Sequence, residues 1–356
     1  MPDMTKRPTL DEVAHACGVS RATVSNAYNR PDQLSAQLRV KVLREARKLG
    51  YPGPNPTARS LATSRTGAIA VLLGSGLSSA FSDPALSLTL DALATAVDPE
   101  DKALLLLPGA AEGNGPTAER VLSAQADVVV AYSLLDGAPS LRAVRQRGLP
   151  LVVIDQPVAK GASSVRVEDR AGAAKAAAHL VELGHRRFAI LSTCCLNAGG
   201  GELSLTQARE SKARHARERF AGYLDTLAAA RIKSVAIWES AGPSIADARP
   251  GALALLDRTP RPTALLCMSD QMALAALSVA EQLGLDVPGD LSIVGYDDVP
   301  SAAWSRPALT TVRQDLAGKG RLAGQFALRM LEGASPMSAT LPVELVVRGS
   351  TAPAPH

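Results

Sequence analysis

Aromatic residues are scarce: four Phe, five Tyr and two Trp make up 3% of the 356 residues. Any core must therefore be built from Ala, Leu and Val rather than from packed rings. Cysteine is equally sparse. Cys17, Cys194, Cys195 and Cys267 show neither metal-ligand spacing nor the density of a disulfide framework, which excludes a zinc module and a stapled secreted scaffold. They read as reduced, packed thiols, with the vicinal Cys194-Cys195 pair the one candidate for redox chemistry. No apolar run approaches the 18 residues that signal a membrane span, and the opening Met-Pro-Asp-Met-Thr-Lys-Arg has no apolar stretch of the secretory kind. A cytoplasmic protein with no membrane partner is expected. Also missing are a G-x-G-x-x-G opening a helix, a phosphate-binding G-x-x-x-x-G-K-[ST] loop, an H-E-x-x-H helix and a Ser/His/Asp pattern. Gly74-Ser75-Gly76 is only a fragment of the first. Neither an enzyme nor a metal or cofactor site is expected.

What is present is organised by charge. Of the 38 Lys and Arg, eleven lie within residues 1–65, against five of the 34 Asp and Glu. That end carries +6, while the remaining 27 basic and 29 acidic side chains net −2. Positive potential concentrated at one end suits a module that meets phosphate, although a solvated basic face would look the same. At 356 residues the chain also exceeds what one core sustains, so two or three units are expected.

The first fifty residues predict three short helices. Thr9 with Glu12 three places later is a capping box, opening a helix that carries Leu10, Val13, Ala14 and Cys17 on one face. Gly18 supplies the permissive backbone of a tight turn, and Ser20 caps a second helix running to about Tyr28. Its Val24 and Ala27, with Val19 before it, point inward and leave Arg21, Ala22, Ser25 and Asn26 outward. Ser35 caps a third helix with Leu38, Val42, Ala46 and Leu49 on one face and Gly50 as its stop. Tyr-Pro-Gly-Pro-Asn over 51–55 cannot be helical. Asn55-Pro56 then starts a brief helix, Thr57 to Ala62, too short to stand alone in water.

Beyond Gly67 short apolar runs alternate with Ala-rich amphipathic segments. Strands are predicted at Ala68 to Leu73, Ala103 to Leu107, Val128 to Tyr132, Leu151 to Ile154, Phe188 to Ser192, Val235 to Trp238, Ala264 to Met268 and Leu291 to Val294. Continuous Val/Ile/Leu strands separated by helices indicate doubly wound parallel sheets, and this many units indicate two α/β lobes. A ligand would sit in the cleft at the carboxyl ends of the strands.

These residues resemble the lac-repressor family of bacterial regulators along nearly the whole chain. The match is carried by Thr9-Leu10-Asp11-Glu12-Val13-Ala14, Gly18-Val19-Ser20, Thr23-Val24-Ser25 and Ala58-Arg59-Ser60-Leu61. It continues through His179-Leu180 with Leu183-Gly184-His185-Arg186, Arg219-Phe220-Ala221-Gly222-Tyr223, Ser269-Asp270-Gln271-Met272-Ala273, Val294-Gly295-Tyr296-Asp297-Asp298 and Leu309-Thr310-Thr311-Val312. The resemblance implies an all-α helix-turn-helix DNA-binding domain (residues 1–50), a linker and hinge helix (51–66), and a periplasmic-binding-protein-like sensor of two α/β lobes (67–356). It places Arg21, Ala22 and Asn26 at base-reading positions and Thr9, Ser20, Thr23, Ser25 and Asn29 on phosphate. Arg21 suits the two acceptors of guanine; Asn26 would read adenine directly or through water. In the hinge, with Ala58 at its start, Leu61 would act as a minor-groove wedge, although packing on the sensor is the structural alternative. Tyr51 to Leu61 is one residue longer than the family spacing, with Gly53 the extra.

For the sensor, the resemblance points to Arg219, just before a helix, and Asp297, at a strand end, as effector contacts, or else as a structural pair bridging the lobes. A planar fork of donors and a pair of acceptor oxygens suit the hydroxyls of a sugar or the edge of a nucleobase. Asp155, Asp270 and Phe81 are further effector candidates, Phe81 as a stacking face. Trp238 is a weaker one, His185 reads as structural, and the polar loop 194–215 reads as solvated unless it meets an anionic ligand or a partner protein. The expected function is a homodimeric repressor of catabolic genes on a pseudo-palindromic double-stranded operator, controlled by a sugar or nucleoside, by induction or by co-repression. Dimer rather than tetramer follows from the lack of leucine heptads near Ala352-Pro-Ala-Pro-His356. A periplasmic solute-binding protein shares the sensor fold but would carry a secretion signal in place of the helical module.

Overall fold

The computed structural model describes residues 8–54, 65–109, 115–157, 160–193 and 200–355. The chain divides into two compact units, Met1–Thr66 and Gly67–His356. The predicted helix Thr57 to Ala62, with Ala58 and Leu61, lies outside the described residues, as does Cys194-Cys195.

The first unit contains α1 (Leu10–Cys17), α2 (Arg21–Asn29) and α3 (Ala36–Lys48). The Thr9/Glu12 capping box forms in both directions, and Gly18 ends α1 in the left-handed region at φ 64. Ser20 and Ser35 cap α2 and α3 by accepting from Thr23 N and Leu38 N. Val13, Ala14, Cys17, Val24, Ala27, Val42 and Ala46 form the core. Leu49, expected on that face, is exposed. It caps α3, and Gly50 at φ 72 turns the chain so that Tyr51 takes the core place, its ring edge-on to Tyr28 at 6.0 Å. Two of the basic side chains bind helix ends instead of facing solvent alone: Lys41 Nζ donates to Cys17 O at 3.0 Å and Arg39 Nε to Ala27 O at 3.3 Å. Both carbonyls lie in last turns, where cations are favoured.

The second unit runs β1 (Ala68–Leu73), α4 (Leu77–Ser82), α5 (Pro84–Val97), β2 (Ala103–Leu107), α6 (Ala118–Ser123), β3 (Val128–Tyr132), α7 (Pro139–Gln146), β4 (Leu151–Ile154) and β5 (Ser163–Val167). It crosses to α8 (Asp169–Glu182), β6 (Phe188–Ser192), β7 (Gly201–Glu202), α9 (Leu205–Arg209), α10 (Arg214–Ala229), β8 (Val235–Glu239), α11 (Ile245–Leu256), β9 (Ala264–Cys267), α12 (Asp270–Gln282), β10 (Ser292–Asp297), α13 (Pro300–Trp304) and β11 (Thr310–Gln314). It returns through α14 (Leu316–Leu331) and β12 (Ser338–Leu341) and ends with β13 (Val343–Val346). One sheet has the order β12-β5-β4-β3-β1-β2 and the other β13-β11-β10-β9-β6-β8-β7. All pairings are parallel except those of β7 and β13 with their neighbours.

The chain thus passes between two lobes three times, after Val167, after Gln314 and after Leu341. The doubly wound, two-lobed reading holds. The strand predicted to start at Leu291 begins at Ser292 and continues to Asp297, and the polar strands β5, β11, β12 and β13 were not expected. Small residues set the helix packing. Ala173, Ala176 and Ala177 on α8 are fully buried, and Gly222 on α10 brings that helix onto the backbone of α8 at Arg170 and Ala174. His185 is buried with its ring nitrogens on Thr263, Ser292 and the Ala352 carbonyl, so it is structural as expected, and burial lowers its pKa.

Candidate functional site

On the first unit, Arg21, Ala22, Ser25, Asn26 and Asn29 recur at helical spacing along α2 and none is buried. Their side chains are pre-arranged by short polar bonds. Ser20 Oγ meets Thr23 Oγ1 at 2.9 Å, Asn29 Nδ2 donates to Ser25 Oγ at 3.2 Å, and Asn26 Nδ2 donates to Gln33 Oε1 at 3.2 Å. Arg21 Nε lies 2.9 Å from Asp11 Oδ1, with both side chains largely exposed. A surface pair of this kind contributes about 0 to 1 kcal/mol, so it orients Arg21 without withholding it. Thr9 is exposed at the start of α1. This is the helix-turn-helix arrangement, with a polar helix face presented outward.

In the second unit a cavity of about 570 Å³ opens at the carboxyl ends of the strands of both lobes, as expected for an open α/β sheet. Gly74 and Ser75 follow β1, Gly109 follows β2, Ser133 follows β3, Asp155 follows β4 and Thr193 follows β6. Met268 and Ser269 follow β9, while Asp297 and Gln314 end β10 and β11. Ser133, Asp155 and Asp297 all hold positive φ, at 50°, 56° and 116°. Non-glycine residues adopt such backbone at a cost, and it clusters where side chains must be aimed.

A chain of charged contacts runs along the cleft floor. Lys319 Nζ donates to Asp155 Oδ2 at 2.6 Å and to Gln314 Oε1 at 2.7 Å. Gln314 Nε2 donates to Asp297 Oδ1 at 2.5 Å, and Asp297 Oδ1 lies 4.0 Å from Arg219 Nη1. Arg219 donates from Nε to Asp169 Oδ1 at 3.1 Å and from Nη1 to the Met268 carbonyl at 2.5 Å, and its plane sits 3.6 Å over the Tyr296 ring. Arg214 binds the other oxygen of Asp169 at 3.0 Å. Across the cleft, Ser133 Oγ meets His215 Nδ1 at 2.9 Å and Arg217 Nη1 reaches Asp136 Oδ2 at 2.8 Å.

Burial dominates the electrostatics. It pushes Asp297 up to about 7, the Arg219 guanidinium opposing and Asp83 adding to the shift. His215 falls to about 3 through burial and the nearby Arg219, which leaves a neutral ring. Asp155 is also opposed by burial, yet its neighbour Lys319 outweighs that, and its pKa stays below the ordinary value. Among the described residues no group of three His, Cys, Asp or Glu is arranged to hold a metal ion. No helix there is long and apolar enough to cross a membrane.

Of the residues expected at an effector, Asp155, Arg219 and Asp297 converge on the cavity. Arg219 lies within α10 rather than before it, on the second turn, which aims the guanidinium at the floor. Asp270 does not line the cavity. It is fully buried and takes Val299 N at 2.9 Å and Thr311 Oγ1 at 2.5 Å, fastening α12 to β11 and the segment after β10. Phe81 is 73% exposed and points away from the lining, because α4 turns it to solvent. Trp238 packs against Gly251 of α11. The stretch read as a solvated loop contains α9 among its described residues, and its end supplies half-buried His215 to the cleft. Sequence reasoning missed Lys319, Gln314, His215 and Asp83. The Gly74-Ser75-Gly76 turn, only a fragment of a nucleotide motif in the sequence, lines the cleft wall.

A helix-turn-helix unit followed by a two-lobed, cleft-bearing unit defines the class of two-part DNA-binding regulators. Residues 9–55 match the description of bacterial regulatory proteins of the lacI family, and residues 177–351 match a periplasmic binding protein-like domain. An HTH-type transcriptional regulator of Mycobacterium tuberculosis is 38% identical over 359 residues, covering 99% of both chains. A lac repressor dimer bound to operator and an anti-inducer superposes with a TM-score of 0.77 at 26% identity, over 98% of this chain and 100% of that one. The complex of the regulator CelR with cellobiose gives 0.69 at 27% identity, over 97% and 100%. The chain belongs to the lacI family of bacterial regulatory proteins. It is a DNA-binding transcriptional regulator, not an enzyme.

Proposed function

We propose that the protein is a homodimeric repressor of catabolic genes whose grip on a pseudo-palindromic operator is set by a sugar bound in the inter-lobe cleft. The observation that carries the sugar reading is the floor itself. Arg219, Asp297 and Asp155, with Gln314 and Lys319, present fixed donors and acceptors to one cleft of about 570 Å³, a size that suits a small ligand. The complex of the similar regulator CelR with cellobiose supports the same class. Arg21, Ala22 and Asn26 of α2 read bases, while Thr9 at the start of α1, Ser20 at the start of α2, and Thr23, Ser25 and Asn29 hold phosphate. Leu61 of the hinge is the proposed minor-groove wedge. Effector binding alters the angle between lobes and hence the operator spacing the dimer tolerates, by no more than its differential affinity for the two states.

Selection of bound duplexes from a random pool, with and without sugars, tests this reading. A palindromic consensus whose retention changes with a sugar is expected. Binding with no sequence preference at moderate salt overturns it, and a sedimentation mass of four protomers overturns the dimer.

A further inference from the structure

Lys319 is 1% exposed although it lines the cleft, and its position is set by packing. It sits in the first turn of α14 between Gly318 and Gly320. Gly320 lets that turn press onto α5, where a Cβ would collide with the Thr89 carbonyl and lie 2.9 Å from Leu93 N. An ammonium has three hydrogens to donate, and Lys319 directs two of them to Asp155 Oδ2 and Gln314 Oε1. Asp155 is 4% exposed, and its second oxygen, Oδ1, has no hydrogen-bond partner. Buried polar atoms are nearly always satisfied, and a lone carboxylate oxygen in a cleft is a site for a donor from outside the chain. Lysine and aspartate together therefore present one donor and one acceptor side by side, the complement of a hydroxyl group, which accepts and donates at once.

The charge pattern narrows the ligand further. Both cations of the lining already face acceptors, Lys319 on Asp155 and Arg219 on Asp169 and the Met268 carbonyl. Asp83, Asp155 and Asp297 line the same space. A phosphate group would meet three carboxyls with no uncompensated cation beside it. A nucleobase would need a face to stack on, and the Tyr132 ring of the lining already has the Lys319 ammonium 6.0 Å from its centroid.

We propose that Lys319 and Asp155 form the specificity-determining pair of the cleft, gripping one hydroxyl of an uncharged, unphosphorylated polyol. This rests on the sugar-effector reading above. The test is calorimetric titration and thermal unfolding of the full chain with glucose, fructose, ribose, the phosphate ester of each, cellobiose and adenosine. At least one free sugar should bind and raise the unfolding temperature of the sensor unit. A phosphate ester of that sugar, where the panel holds one, should bind at least about tenfold more weakly, and Lys319→Met should weaken the sugar by about tenfold or more, as expected for loss of a charged hydrogen bond. Because Lys319→Met strips Asp155 of its counter-ion, the double variant Lys319→Met/Asp155→Asn, which keeps the parent's net charge, is measured alongside. A folded double variant that binds the sugar as tightly as the parent overturns the proposal. So does preference for a phosphate ester or for adenosine, which leaves an effector cleft in place. Absence of binding by every probe at millimolar concentration overturns the sugar-effector reading as well.

Discussion

Gly222→Ala should destabilise the second unit, although helix propensity alone argues the opposite. An alanine in place of glycine within a helix contributes about 1 kcal/mol. At Gly222 the added Cβ would overlap the Arg170 carbonyl oxygen and lie 2.8 Å from Ala173 Cβ and 2.9 Å from Ala174 N. Ordinary contact is about 3.5 to 4 Å, and two of these three atoms are backbone that cannot rotate away. The helices α8 and α10 must move apart, and overpacking of this kind costs about 1 to 3 kcal/mol, more where the main chain has to shift. The clash therefore exceeds the propensity gain, for a net loss of roughly 2 kcal/mol. In a unit of this size that lowers the melting temperature by roughly 4 °C. The same separation stretches the 3.1 Å bond from Arg219 Nε to Asp169 Oδ1, which spans the two helices, so effector affinity should fall with stability. Scanning calorimetry of parent and variant, with calorimetric titration of a sugar, measures both. A melting temperature at or above that of the parent would refute the close-packing argument.

Asp297→Asn tests the buried carboxyl. Its folded pKa of about 7 lies above the unfolded value, so the folded state holds the extra proton. The associated stability is complete below about pH 4 and is lost as pH rises through 7. Denaturant unfolding should show the parent losing on the order of 4 kcal/mol over that interval relative to Asp297→Asn, and parallel pH profiles would sink the assignment. Arg21→Ala should weaken binding to the selected operator by about 1 to 3 kcal/mol and relax preference at one base pair. Because the Arg21 pair with Asp11 is solvent-exposed, Asp11→Ala should change affinity far less. Unchanged base preference in Arg21→Ala removes that residue from the reading face.

The strands that could be read from the sequence are runs of apolar residues, whether fully buried or, like Ala103–Leu107, only half-buried at a sheet edge. Val128–Tyr132 and Leu151–Ile154 announce themselves as apolar runs. β5, β11 and β12 contain Ser, Thr, Arg and Gln because they bond sideways to other polar segments. Ser164 pairs with Ser338, and Thr310 takes part with Ser350 and Thr351. An apolar-run criterion passes over such strands. In the cleft, Asp155 and Asp297 were reached through the family resemblance, and the structure puts both at strand ends. The cleft was not legible where the partner comes from far along the chain: Lys319 reads as a solvated helix residue until α14 is laid against the first lobe, 164 positions from Asp155. The available signal was the pair of glycines flanking it, which marks a helix turn in close contact. Asp270 shows the converse, since a carboxylate after a strand also serves to fasten neighbouring elements.

Residues that line the cleft, or bind those that do, also stand where the chain joins its two halves. Gln314 is the last residue of β11 before the second crossing, Asp169 opens the helix after the first, and Lys319 occupies the first turn after the second. Any change in the angle between lobes must alter how these side chains meet. Among the described residues the direct contacts joining the lobes are few: the neutral bond of Ser133 to His215, the Asp136 to Arg217 pair with each side chain about a third exposed, the Asp136 N to Lys212 O bond, the buried Lys319 to Gln314 bond and the small apolar contact of Ala85, Val299 and Leu316. A neutral hydrogen bond contributes about 1 kcal/mol net and a partly exposed ion pair no more than that. A hydrogen bond to a charged group, as between Lys319 and Gln314, contributes about 1.5 to 3 kcal/mol, so each of these contacts is an increment in the range of typical coupling energies between sites. A ligand that bonds Asp155 on one lobe and Asp297 on the other more strongly in one orientation has enough differential affinity to choose between them, without the interior of either lobe having to rearrange.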